Sequence, residues 1–586
     1  GRASAAMEAL RELEALQQPT IPAEETEPRK RARFETPAQP ALRPEELLAQ
    51  AERELEQSQV EVAAVDENEM KSMVLAVEKR INENMTLRMK YPDSPDKFME
   101  SELELFSNLK RLRALATVPE LYPTFVKTKC VPSLLSLLSH ENSDISIEVV
   151  DLLHELTDAT GAETEDLTVL VDAFLEYDAP VALVEHMKCL DEANEDEAAA
   201  IHSTLAFFES ILDVQASATV DVAKASGFMA WLLHRIKVRP FHANKLYATE
   251  LLSVLLQQNP PNQILLGELD GILALLTAAS HYKRKDPQGL EEAELIENVF
   301  DCLVAALSEP DNQTLFLKAE GVELMVLTIK ERRYAAHGAL RALDASLSRN
   351  GANCERFVDI RGFKTLFPMV GASAPPLPPF AKAEKRAAQQ TYDEKWASIL
   401  CTLLQQLTDE KRLRLLGKFA EDSFAKLDRL LALRADYALR VAIAESAALA
   451  YGGDPGDDDD DDALDDKVYL AKSEAGLFTL QLLDAIICLL ATSQSKSLRT
   501  HILRGLYEAG SSLHDSWANA EEMMQTIFAA DEAAAAKTPA SGGPQGANVA
   551  QRRAMASMEE GVKALLARYA AAAEGTSEAA EGKSDA

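Results

Sequence analysis

Carboxylates set one helical turn apart are the groups in this 586-residue chain best suited to chemistry. Asp151 and Glu155 make one pair, and Glu297 and Asp301 make another. Between them in the chain lie Asn244 and Glu250. Each set falls outside the apolar stripe of its own segment: Val149, Leu152, Leu153 and Leu156; then Leu251, Leu252 and Leu255; then Val299, Phe300 and Leu303. Side chains left out of a helix's apolar stripe project from another face, where residues four apart are neighbours. A ladder of carboxylates along one face would hold Lys and Arg through charge-assisted hydrogen bonds and speed their arrival. The competing reading is ordinary solvated helix faces, because 95 Asp+Glu against 60 Lys+Arg give a net charge of -35. Catalysis by paired carboxylates needs unequal environments that separate their pKa values. No recognisable Ser/His/Asp motif, G-x-S-x-G, P-loop or H-E-x-x-H is present, so a non-enzymatic role is expected.

The opposite charge is concentrated in one place. Arg29, Lys30, Arg31 and Arg33 stand together in an acidic, proline-broken stretch. They are expected to act as a nuclear localisation signal, read by an import receptor. The run Asp457 to Asp462 reads as a self-repelling solvated loop, since calcium ligation needs spaced ligands and a turn glycine. The closest two of the six cysteines are 47 positions apart, and the ten histidines are scattered. No metal site, cofactor or disulfide framework is expected; buried thiols are. The acidity argues against direct nucleic-acid binding. The most apolar segment, Leu477 to Ala491, is interrupted by Gln481 and Asp484 and is too short to span a bilayer, so it reads as a buried helix. No secretory signal is apparent at the start of the sequence, and a nuclear location is expected.

The elements that must position these groups are helices. From about residue 67 to 450, Leu, Ala and Glu recur at three- and four-residue spacing, with Gly and Pro between segments. Apolar helix openings recur at Val131, Val181, Phe228, Ile272, Val322 and Phe363. The gaps are 50, 47, 44, 50 and 41, the period of two- or three-helix repeats. One such unit cannot bury its apolar face alone, so units stack into a superhelical solenoid. The expected fold is all-α: an armadillo- or HEAT-like right-handed solenoid with a C-terminal helical cap and disordered tails. The boundaries read as a tail over 1–66, repeats over 67–450, an acidic loop over 451–468, capping helices over 469–530 and a low-complexity tail over 531–586. Lys467 to Leu490 is predicted as one helix, and Pro375 to Pro379 with Lys382, Lys385 and Arg386 as a mobile loop.

The unit from Val131 to Leu156, with its Asn142-x-Asp144-Ile145 turn, resembles an armadillo repeat. Longer strings sharpen the likeness. Tyr91 to Leu103 (YPDSPDKFMESEL), Asp144 to Asp158 (DISIEVVDLLHELTD), Phe241 to Tyr247 (FHANKLY), Leu266 to Gly271 (LGELDG) and Ala475 to Phe478 (AGLF) resemble the beta-catenin-like protein 1 family, in order, over about residues 70–510. That resemblance implies a nuclear armadillo scaffold associated with the spliceosome. Its implied partners are spliceosomal proteins of the Nineteen complex, including a Myb-repeat subunit with a basic localisation segment. The basic segments would lie in the acidic groove. No membrane association is implied, and homodimerisation stays open. The alternatives are an importin-alpha-like transport adaptor, an adhesion or signalling adaptor, and an enzyme.

Overall fold

The computed structural model describes residues 65–158, 164–377, 385–451 and 461–537, with residues 556, 558–565 and 567 near the C-terminus. All of these belong to the compact unit Val65–Ala586. The basic cluster Arg29, Lys30, Arg31 and Arg33 lies outside the described residues, as do Asp457 to Asp460.

Every regular element among the described residues is a helix. A single ladder of side-by-side helices organises them: α1 (Glu67–Lys90), α2 (Met99–Leu112), α3 (Ser143–Thr157), α4 (Glu195–Val214), α5 (Ala243–Leu256), α6 (Leu290–Ala306), α7 (Ala336–Leu347) and α8 (Lys385–Gln406). Each packs on the next in order. Shorter helices, such as Pro260–Glu268 with Gly271–Ser280 and Pro310–Lys318 with Gly321–Glu331, lie between consecutive ladder members in the chain. This is the three-helix unit of an armadillo solenoid, and one continuous core runs through it, from Val65 and Met70 to Trp396 and beyond.

The repeat punctuation has two physical parts. A left-handed residue precedes each second helix, at Lys129, Asp178, Gly227, Asp270, Glu320 and Arg361. The glycine that often follows serves a different need. At Gly321 a Cβ would sit 2.6 Å from the Phe316 ring, and at Gly271 it would sit 2.4 Å from Leu266. There glycine lets a first helix close onto the second, and the turn itself is made by the residue before it.

A buried asparagine recurs with the repeat. Asn262, Asn312 and Asn353 each lie in the first turn of a first helix and are buried. Their amides donate to the carbonyls of Leu255 (2.9 Å), Ala306 (2.9 Å) and Ser346 (2.8 Å), near the ends of α5, α6 and α7. Asn312 and Asn353 also reach the carbonyls of Gln263 and Gln313, one repeat back, at 2.8 and 3.4 Å. Helix ends leave orphan carbonyls, and here the next helix of the chain satisfies them. Asn142 takes the cap at the head of α3, accepting the Asp144 N–H at 3.0 Å.

The C-terminal part differs from a simple cap. It comprises α9 (Ala425–Tyr451), α10 (Asp461–Ala475), α11 (Leu477–Ala491), α12 (Lys496–Glu508) and α13 (Leu513–Lys537). The single helix expected over Lys467 to Leu490 is two helices meeting at 68°. Gly476 at φ +103° makes the break, and a Cβ there would press on Tyr437 at 2.6 Å. The acidic loop expected over 451–468 is helical from Asp461 onward and at Tyr451. α11 is buried on nearly every side by α8, α9 and α13, so it is core. Its one acid, Asp484, is fully buried and paired with Arg434 of α9 at 2.9 Å and Asn519 of α13 at 2.8 Å. A buried pair costs less when its remaining oxygen is also hydrogen-bonded, and here the contacts link three helices. No single helix among the described residues is long and apolar enough to cross a membrane. Five of the six cysteines are buried, whereas Cys189 is exposed, against the expectation of buried thiols.

Candidate peptide-binding groove

Ladder helices line the inner face of an armadillo stack, so the groove is built from their polar positions. At its N-terminal end, α3 presents Glu148, Asp151 and Glu155, at spacings of three and four that put all three on one face. They do not face an empty groove. Arg113, directly after α2, lies 2.8 Å from Glu148, 3.0 Å from Asp151 and 3.1 Å from Glu155. Asp151 also accepts the Ser203 hydroxyl of α4 at 2.9 Å. Glu148 is buried, and burial pushes its carboxyl up from the ordinary range while Arg113 and Lys110 pull it back. The expected pair Asp151 and Glu155 therefore already shares a cation from within the chain.

The same holds further along. Glu297 and Asp301 of α6 both pair with Arg341 of α7. At the next step Lys395 of α8 approaches Asp344 of α7 at 3.8 Å. Burial raises the Asp344 carboxyl to about 6.

Between these two ends the pattern changes. Glu209 of α4, Glu250 of α5 and Glu294 of α6 come from three adjacent helices. Among the described residues none of them pairs with a cation. Burial pushes the Glu250 carboxyl up, and the neighbouring Glu209 and Glu294 charges push it further. Glu209 accepts the Tyr247 hydroxyl, and the Tyr247 and His202 rings lie together, centroids 4.9 Å apart and tilted by 54°. Glu250 thus lies between two further carboxylates, beside an aromatic pair. Lys or Arg placed there would relieve the repulsion and gain charge-assisted hydrogen bonds. The tyrosine and histidine rings would carry the aliphatic stem of such a side chain.

Two expected residues need separate treatment. Glu250 is half-buried within the central trio. Asn244 is a correction: it is buried, 2% exposed, and cannot reach a ligand. Its amide donates to the Ala198 carbonyl at 2.9 Å, tying α5 to α4. Its neighbour Lys245 is buried too, with Nζ 2.6 Å from the Val238 carbonyl, and burial lowers the ammonium to about 8. The first turn of α5 is a structural joint.

Sequence reasoning missed Arg113, Arg341, Glu209, Glu294 and Tyr247. Arg341 had a usable signal, because it lies off the stripe Leu340, Leu343 and Leu347, as Asp301 lies off its own. Arg113 had none, since Lys110 to Arg113 reads as a basic helix end. Among the described residues no group of three or more His, Cys, Asp or Glu is placed to hold a metal ion.

The stacked three-helix units, their common core and their polar inner face define an armadillo-repeat protein. The sequence narrows the class. Residues 45–520 match the model of the family described as "Catenin-beta-like, Arm-motif containing nuclear". The chain is 40% identical over 456 residues to Beta-catenin-like protein 1 of Rattus norvegicus, covering 77% of this chain and 80% of that protein. It is 31% identical over 451 residues to the Schizosaccharomyces pombe homolog, covering 76% of each. The chain belongs to the catenin-beta-like family. Among solved structures, an engineered protein aligns with a TM-score of 0.40 at 15% identity, over 83% of this chain and 99% of that one.

Proposed function

We propose that this chain is a non-enzymatic nuclear scaffold of spliceosome-associated assemblies of the Nineteen-complex type. It captures basic, localisation-type segments of splicing factors at the centre of its groove. The carrying observation is the uncompensated trio Glu209, Glu250 and Glu294, set between ends that internal cations have filled. Family membership supports the nuclear assignment, because the family is described as nuclear. The resemblance of the strings at Tyr91 to Leu103 and Asp144 to Asp158 supports the splicing context. Arg29, Lys30, Arg31 and Arg33 would serve import. An importin-alpha-like adaptor fits less well, because that family reads its cargo with ordered Trp and Asn arrays. Here the groove offers carboxylates, and only three tryptophans exist in the chain.

Calorimetric titration of the full chain with a synthetic Lys/Arg-rich peptide tests the groove. Binding should weaken as salt rises from about 50 to about 300 mM, because partly exposed ion pairs are screened. Affinity that ignores salt, or no binding at all, would remove the mechanism. Purification of the native complex with mass spectrometry tests the context, which fails if no splicing factor co-purifies.

A further inference from the structure

The chain carries 95 acidic residues against 60 basic ones, yet one edge of the helix stack reverses that balance. α5, α6 and α7 are each entered through a loop from the preceding second helix. These loops and the helix ends before them hold Lys237 and Arg239, then Lys283, Arg284 and Lys285, then Lys330, Arg332 and Arg333. Within residues 237–242, 281–289 and 330–335 these eight cations meet two acids, Asp286 and Glu331. The corresponding stretch before α4 sets Lys188 against Asp191 and Glu192.

The three loops form one edge. The helices leading into the first two, Phe228–Lys237 and Gly271–Ser280, pack side by side. Burial lowers the His281 imidazole, and the charges of Lys245 and Arg239 lower it further, which puts Arg239 beside the second loop. The second and third loops touch directly. Arg284 meets Glu331 at 2.9 Å, Arg333 meets Asp286 at 2.8 Å, and Asp286 accepts the Tyr334 N–H at 3.0 Å. Glu292 of α6 braces the second loop, taking Lys285 at 2.8 Å and the Gln288 N–H at 2.7 Å.

Those contacts leave cationic capacity over. Arg332 is turned onto the Ser373 carbonyl at 2.7 Å. Arg284 stays 75% exposed and Arg333 53%, each on one carboxylate although a guanidinium has five N–H donors. Among the described residues the side chains of Lys237, Arg239, Lys283 and Lys330 engage no acid. Val238, Phe241 and Leu290 stand exposed on the same loops and at the head of α6.

Spacing and charge identify the occupant. Stacked helices lie roughly 8–10 Å apart. An extended chain advances ~3.3–3.6 Å per residue, so three residues span one step from loop to loop. A peptide with an acid at every third position therefore meets each loop in turn, and its intervening apolar side chains meet Val238, Phe241 and Leu290. A nucleic-acid backbone suits the edge less well. It carries a charge on every nucleotide, has to approach a chain of net charge -35, and would set phosphates against Asp286 and Glu331.

We propose that the edge formed by the loops before α5, α6 and α7 binds an extended acidic segment of another protein, with Asp or Glu at every third residue and apolar residues between. Arg239, then Lys283 with Arg284, then Lys330 with Arg333 hold successive carboxylates through charge-assisted hydrogen bonds. This surface takes a ligand of the opposite charge to that of the groove and is independent of it.

The test uses the full chain and three fluorescent probes, read by anisotropy at low salt. One is a synthetic peptide of about nine residues with glutamate at every third position and leucine and serine between. The second has the same composition with its glutamates together, and the third is a single-stranded oligouridylate. The patterned peptide should bind at least about fivefold tighter than its isomer, because only it reaches all three loops. Arg239→Glu with Lys283→Glu should weaken the patterned peptide about tenfold at an unchanged melting temperature, since neither side chain holds an acid of the fold. Should that variant fail to fold, Arg239→Gln with Lys283→Gln gives the same readout at about threefold. Glu250→Lys with Glu294→Lys should not weaken the patterned peptide. Equal binding of the two peptides, tighter binding of the RNA than of the patterned peptide, or affinity that survives both edge variants overturns the proposal. Self-association by sedimentation that disappears in the edge variants would assign the edge to a second copy, and would overturn it equally.

Discussion

The N-terminal end and the centre of the groove carry the same kind of carboxylate and differ in one ingredient. At α3, Glu148, Asp151 and Glu155 share Arg113, at distances of 2.8 to 3.1 Å. At the centre, Glu209, Glu250 and Glu294 share no cation among the described residues, and burial, helped by the Glu209 and Glu294 charges, raises the Glu250 carboxyl. Acidity alone therefore does not mark a binding site. The first cluster is a closed joint between units, and the second is the one proposed to receive a basic ligand. Arg341, with Glu297 and Asp301, closes the other end in the same way. The internal arginines also show what the carboxylates accept: a guanidinium, held by two or three oxygens.

Breaking the closed joint should have the largest effect. Arg113→Ala strands three carboxylates, one of them buried, and should destabilise the fold by about 3 kcal/mol, read by urea unfolding. Adding Glu148→Gln should restore part of that loss, because the stranded buried charge is then gone. Opening the far end should sharpen the comparison. Arg341→Ala exposes Glu297 and Asp301 to the ligand and should tighten binding of a basic peptide by about 1 kcal/mol, roughly fivefold. A loss of affinity would mean that Arg341 positions the groove and does not compete for it. The smallest effect is the pH dependence. A bound cation favours ionised Glu250, whose carboxyl is raised in the free protein, so binding expels protons. Affinity should fall a few-fold from about pH 7.5 to about pH 5.5, with net proton release measured calorimetrically in two buffers.

The stacked helices were legible because apolar residues recur at helical spacing, and because openings such as Val131, Ile272 and Val322 recur with the repeat. The glycines were legible as punctuation, but the reason for Gly321, close packing on Phe316, was not. Asn262, Asn312 and Asn353 stayed hidden because asparagine near a helix start reads as a cap, while here it bonds to carbonyls of other helices. Asn244 was misplaced for the same reason: its polarity suggested the surface, and its amide serves α4. Asp151, Glu155, Glu250, Glu297 and Asp301 could be read from helix phase alone, whereas Glu209 and Glu294 were missed. The pairing of Asp151 and Asp301 with arginines could not, because Arg113 and Arg341 lie 38 and 40 positions from them and meet them only through the stacking register. The C-terminal helices were found, but the break at Gly476 depends on contact with Tyr437, which no local pattern announces.

One comparison tests the central claim most directly: calorimetric titration of one Lys/Arg-rich peptide into the wild-type chain, the Glu250→Lys/Glu294→Lys variant and the Asp151→Asn/Glu155→Gln variant. The central variant should lose about 3 kcal/mol of binding, more than a hundredfold, while the terminal variant changes it by less than about 0.5 kcal/mol. Equal losses, or a larger loss at Asp151 and Glu155, would contradict the division between filled ends and an open centre.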